Sequence, residues 1–247
     1  LSPVRRAFLE RLHVSIKAVV FDLDGTLAEF NLDYKAVRAE VMRFLLNQGI
    51  PASILSVKES VFDMLKKAQV YMKNNGKEKR FSAVQRDVFA IAFKYEWEAA
   101  NRTSLMPGAF EALKALKTLN LKLGIFTINS EKSTNLILDR FRLRQFFDAT
   151  VTREGVPRVK PDPLHLEAAL KALAVKAEEV IVVGDNAVDV KSALALKATS
   201  VGIATTDAAA KKLRETGAAH VVRSITELPA LISKLNRLWQ LSHATVF

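Results

Sequence analysis

The apolar positions of this chain change their period along its length. Residues 17–21 (KAVVF) form a short β-branched run that stops at the polar turn Asp22-Leu23-Asp24-Gly25-Thr26, the pattern of a buried strand and the loop beyond it. From about residue 30 to 104 the period becomes helical. Val61, Met64, Leu65 and Ala68 fall on one stripe, and helices are predicted over 32–47, 52–73 and 82–101, with Gly49 and Gly76 at expected stops. Phe93, Tyr95 and Trp97 fall within the last of these and read as core packing.

After Met106-Pro107-Gly108, short apolar runs alternate with helical stretches. Strands are predicted at 121–127, 149–152, 180–183, 200–203 and 220–222, and helices at 109–120, 132–140, 163–174, 188–197, 207–216 and 227–238. Repeated strand–helix units imply a mainly parallel sheet covered on both faces. The expected architecture is α/β. Residues 17–29 and 105–247 form the core domain, residues 30–104 an all-helical insert after its first strand, and residues 1–16 an N-terminal arm.

Composition narrows the chemistry. With 247 residues, 49% hydrophobic and 26% charged, the chain has globular usage and enough length to bury a large core. It has no cysteine, which excludes disulfide frameworks, zinc–thiolate sites, iron–sulfur clusters and cysteine nucleophiles. A metal must therefore sit on oxygen or histidine ligands. His13, His165, His220 and His243 fit no metal-ligand spacing and read as structural or solvated.

The balance of 37 Lys+Arg against 26 Asp+Glu gives a net charge of +11. These cations form no block of like charge and do not interleave with aromatics, so they read as solvated helix faces and not as a nucleic-acid surface. No run reaches the roughly 18–20 apolar residues of a membrane span. The first fifteen residues carry four charges and lack the apolar stretch of a signal peptide, reading instead as a basic amphipathic helix or arm. A cytoplasmic protein is the expectation.

Ligands of open parallel sheets collect beyond the carboxyl ends of the strands. Four polar clusters fall at or just after such ends: Asp22-Leu23-Asp24, Thr127-Ile128-Asn129, Lys160-Pro161, and Gly184-Asp185 with Asp189. Carboxylates, a hydroxyl and an ammonium converging on one place suit a divalent cation plus a phosphate group. A carboxylate beside that cation can attack phosphorus, and a second can protonate the leaving oxygen.

In these residues the chain resembles the haloacid dehalogenase (HAD) superfamily. Phe21-Asp22-Leu23-Asp24-Gly25-Thr26-Leu27 looks like motif I, Thr127 motif II, Lys160 motif III, and Gly184-Asp185-Asn186-Ala187-Val188-Asp189 motif IV, in the family's order. The resemblance implies a Rossmann-like core. Residues 30–104 are similar to the C1 helical cap of phosphoglycolate-phosphatase-like members, a cap that opens to admit substrate and closes to exclude water.

The family's roles carry over to matching positions. Asp22 would be the nucleophile and Asp24 the acid/base. Thr127 and Lys160 would hold the phosphate, joined by Asn129. Mg2+ would sit on Asp22, the Asp24 carbonyl and Asp185, supported by Asp189. Many members place Asn directly after the motif II Thr or Ser, whereas here Ile128 intervenes before Asn129. Asp24, which the dehalogenases lack, favours phosphate chemistry.

The implied activity is Mg-dependent hydrolysis of a small phosphomonoester such as phosphoglycolate through an aspartyl-phosphate, by a monomer or homodimer acting on a small phosphorylated metabolite. The alternatives are a phosphomutase similar to β-phosphoglucomutase, or a non-catalytic nucleic-acid-binding or regulatory protein on the same fold.

Overall fold

The computed structural model describes residues 15–29 and 31–244; most of the expected N-terminal arm, residues 1–14, lies outside them. Six short strands carry the β-branched runs: β1 Ala18–Phe21, β2 Lys122–Phe126, β3 Ala149–Val151, β4 Val180–Gly184, β5 Thr199–Ile203 and β6 His220–Val222. They form one sheet in the order β3-β2-β1-β4-β5-β6, and every pairing is parallel. β1 is central, with Phe21 flanked by Ile125 on one side and Val183 on the other. The chain winds outward from β1 through β2 and β3, then returns to its other side at β4, which makes the carboxyl end of β1 a topological switch point.

Nine helices are described: α1 Tyr34–Asn47, α2 Val61–Asn74, α3 Phe81–Arg102, α4 Ala109–Thr118, α5 Glu131–Arg140, α6 Pro163–Leu173, α7 Ala187–Ala195, α8 Asp207–Thr216 and α9 Leu228–Ala244. On one face of the sheet, Ala18, Val20, Phe126, Val180 and Val182 pack with Leu166, Ala169 and Leu173 of α6 and Ala193 of α7. Their sequence neighbours Val19, Phe21, Ile125, Ile181 and Val183 point the other way and are equally buried. This double burial is why the central strands read as continuous apolar runs. Each such side chain contributes roughly 1.5–3 kcal/mol.

The chain divides into two compact units, one being Asn31–Arg102 and the other the rest. Within the first, Val37, Val41 and Leu45 of α1, Met64, Leu65, Ala68 and Met72 of α2, and Val84, Val88 and Ala92 of α3 form a core of their own. In the other unit, Glu29 N–H donates to Ser104 O at 2.8 Å, so the outgoing and returning chains pair within it.

Two expectations need correction here. The helix predicted over 52–73 is broken: Ala52–Ile54 is a single 3-10 turn, Leu55 is extended, and α2 starts only after Ser60. Side-chain capping explains the break, since Ser60 Oγ accepts from Asp63 N–H at 3.1 Å and Glu59 accepts from Ser56 N–H at 2.9 Å. Trp97, expected in the core, is 41% exposed and stacks on Phe93. The buried stripe of α3 runs through Val84, Val88, Ala92, Glu96 and Ala100, and Trp97 lies one position off it.

Candidate active site

Asp22 is the first residue past β1. Its N–H donates to Val183 O at 2.8 Å, extending the ladder by one step and bringing the side chain out at the carboxyl edge of the sheet. The chain then turns tightly. Leu27 and Ala28 N–H both donate to Leu23 O at 2.8 and 2.9 Å, and Gly25 N–H donates to Ala28 O at 2.7 Å. Gly25 has φ of +76°, which glycine adopts without strain. A Cβ there would lie 2.4 Å from Asp185 Oδ2, so the missing side chain also gives Asp185 its place.

Lys160 reaches the same point from the loop ahead of α6, whose start is set by the Asp162 cap and Pro163. Its Nζ lies 2.6 Å from Asp22 Oδ1 and 2.7 Å from Asp189 Oδ1, over the face of Phe126 at 4.2 Å from the ring centroid. The side chain is 2% exposed. Burial works against the ammonium, but the Asp189 and Asp22 carboxylates outweigh it and hold its pKa above the usual lysine value.

Asp189 lies in the first turn of α7. Its Oδ1 takes Lys160, and its Oδ2 accepts from Asn186 N–H at 3.1 Å. Gly184 makes this possible, because a Cβ there would fall 2.3 Å from Asp189 Cγ. Asp22, Asp185 and Asp189 each bring a carboxylate oxygen within 4.8 Å of the other two. Asp185 is the most accessible of the three. Burial, and then the charge of Asp22, push its pKa up to about 6. Burial also pushes Asp189 up, against the pull of Lys160.

Three carboxylates against one ammonium leave two negative charges uncompensated. A hard, all-oxygen donor set with that surplus fits a divalent cation. The Asp24 carboxylate is not part of this cluster; its Oδ2 accepts from Asn129 Nδ2 at 2.7 Å. Thr127, 1% exposed, follows β2 at the same edge, and its Oγ1 accepts from Asn129 N–H at 3.2 Å.

Two further residues support this arrangement: His165, expected as structural or solvated, proves structural, and Arg153 was not anticipated. His165 is fully buried edge-on against Phe126, with Nδ1 accepting from Lys160 N–H at 3.2 Å and Nε2 at 3.3 Å from Val151 O. It therefore ties the Lys160 loop to β3. Burial, then the Lys160 charge, lower its pKa to about 4. Arg153 is buried too: its N–H donates to Asn129 O and its Nη1 to Ile128 O, both at 3.3 Å. Only spacing could have flagged either, His165 five residues after Lys160 and Arg153 just past β3.

Residues 16–197 match the family model of haloacid dehalogenase-like hydrolases. A protein named phosphoglycolate phosphatase from Cereibacter sphaeroides is 32% identical over 192 residues, covering 71% of this chain and 79% of its own. Another of that name, from Chromobacterium violaceum, is 31% identical over 217 residues, covering 86% of this chain and 95% of its own. The crystal structure of a hydrolase from Pseudomonas syringae, 23% identical, shares the fold with a TM-score of 0.60 over 88% of this chain and 98% of its own. The match takes in both the central strand with its Asp22 turn and the loops carrying Thr127, Lys160 and Asp185, and on that footing the chain is an enzyme belonging to the haloacid dehalogenase-like hydrolase family.

Proposed function

We propose that this enzyme is a magnesium-dependent phosphatase acting on a small phosphomonoester, with phosphoglycolate the leading candidate, through an aspartyl-phosphate on Asp22. The observation that carries the reading is the buried Lys160 ammonium bridging Asp22 and Asp189 at the end of the central strand. The names of the two curated relatives support the substrate class.

Asp22 has one oxygen, Oδ1, on Lys160, which leaves its other oxygen to attack phosphorus. Lys160 offsets negative charge on Asp22 and on the phosphoryl group as it transfers. Thr127 Oγ1 accepts from Asn129 N–H and still has its own proton to donate to a phosphate oxygen. Asp24 protonates the leaving oxygen and then takes a proton from the water that hydrolyses the aspartyl-phosphate. Asp22 and Asp185 with the Asp24 carbonyl would hold Mg2+, while Asp189, committed on both oxygens, orients Lys160 and supports that shell. Bound magnesium supplies Lewis-acid neutralisation of the phosphate charge.

The test is phosphate release from a panel of phosphomonoesters, phosphoglycolate and an aryl phosphate included, in magnesium and in EDTA. Magnesium-dependent turnover that disappears in Asp22→Asn is the expected result. Turnover by folded Asp22→Asn at the wild-type rate would overturn the proposal.

A further inference from the structure

Asn129 stands where a phosphate ligand was expected, yet its side chain is committed elsewhere. It is 6% exposed, and its Nδ2 donates to Asp24 Oδ2 at 2.7 Å, joining the loop after β2 to the loop after β1. Its backbone is fixed on both sides. Its N–H donates to Thr127 Oγ1 at 3.2 Å, and its carbonyl accepts from Arg153 N–H at 3.3 Å. Arg153 Nη1 takes the preceding carbonyl, that of Ile128, at 3.3 Å, and Ser130 caps α5 immediately after. The amide is thus aimed by a braced loop.

An amide nitrogen only donates. The Asp24 oxygen that receives it therefore cannot point a proton back along the same line. We infer that Asn129 is a positioning residue for Asp24: its donated hydrogen bond fixes the rotation of the carboxyl group.

This inference rests on the reading of Asp24 as the acid. In the first half-reaction a bond forms between the free Asp22 oxygen and phosphorus as the bond from phosphorus to the ester oxygen breaks. The electron pair of that bond goes to the ester oxygen, which receives the proton of the Asp24 carboxyl and departs as an alcohol, leaving Asp24 ionised. Asn129 Nδ2 then donates to a full carboxylate, a stronger hydrogen bond than it made to the acid.

The role has a signature that phosphate binding lacks. An alkyl phosphate needs a proton on its leaving oxygen, whereas p-nitrophenyl phosphate expels a stable phenolate without one. Asn129→Ala is expected to lower kcat/KM for the alkyl substrate on the order of 10- to 100-fold while changing that for p-nitrophenyl phosphate by less than about threefold. The inhibition constant of inorganic phosphate should not move.

Equal losses on both substrates, or weaker phosphate inhibition, would overturn the inference and return Asn129 to the phosphate. Asn129→Ser, one bond shorter but still polar, is expected to show the same selectivity and serves if the alanine variant fails to fold. Asp24→Asn, run alongside, separates the two levels. Alkyl-selective loss in Asp24→Asn but not in Asn129→Ala sinks only the positioning role, and no selectivity in Asp24→Asn sinks the acid assignment beneath it.

Discussion

Replacing His165 by leucine should change how the stability of the folded chain depends on pH. The ring is fully buried, Nδ1 already accepts from Lys160 N–H, and Nε2 faces Val151 O. A second proton would have to enter at Nδ1, directly against the Lys160 N–H and near its ammonium. Burial and that charge accordingly lower the pKa from 6.5 to about 4.

Unfolded chains bind this proton in the window between those values and folded chains do not. Stability from the neutral ring is thus complete above the unfolded value and is lost as pH falls through the window toward 4. At about 1.4 kcal/mol per pH unit, moving from pH 7 to pH 5 removes about 2 kcal/mol of it. His165→Leu is destabilised at neutral pH because Lys160 N–H loses its partner, a cost of about 1–3 kcal/mol for the buried donor left unsatisfied, while Val151 O keeps its hydrogen bond from Thr127 N–H. It has no ring to titrate, so its deficit should shrink by about 2 kcal/mol at pH 5. Urea unfolding of both proteins in EDTA at the two pH values measures this difference, and the other carboxylates cancel. Parallel pH dependence in the two proteins would refute the reasoning.

Lys160→Met strands two carboxylates. In EDTA it should lose about 3–5 kcal/mol of stability by chemical denaturation, and with magnesium its kcat/KM should fall on the order of 100- to 1,000-fold. Gly184→Ala drives a Cβ into the fully buried Asp189; overpacking should cost about 1–3 kcal/mol, and activity should fall with it because Asp189 cannot move without releasing Lys160. Magnesium added to EDTA-treated protein should raise Tm. At a hundredfold excess over Kd the gain is about 2.7 kcal/mol, and Asp185→Asn should shrink it; a melting curve indifferent to magnesium would count against the carboxylate cluster as a cation site.

The centre of the sheet was legible because its strands are buried on both faces, so β1 and β4 appear as unbroken runs such as VVF and VIVV. The clusters at Asp22, Thr127 and Asp185 were legible because each directly follows a strand, whereas Lys160 stands in the loop between β3 and α6. What the apolar period cannot carry is side-chain capping, so Ser56 and Ser60 broke a helix whose pattern looked continuous. Nor does it fix phase to a single residue, which is why Trp97 fell off its stripe. What the structural His165 holds together was invisible for another reason. Its role depends on Val151 and Phe126, brought to it by the fold across long stretches of sequence. Gly25 reads as a turn residue and Gly184 only as part of the cluster after β4's apolar run, and three-dimensional proximity to Asp185 and Asp189 reveals the space they leave.

The most direct test of the aspartyl-phosphate is to trap it. Borohydride added during turnover reduces an acyl-phosphate to an alcohol, which converts the modified aspartate to homoserine, and peptide mass spectrometry then locates it. Homoserine at position 22, appearing only when substrate and magnesium are both present, is the expected result. Turnover with Asp22 left intact, or homoserine at Asp24 or Asp185 instead, would contradict the assignment of the nucleophile.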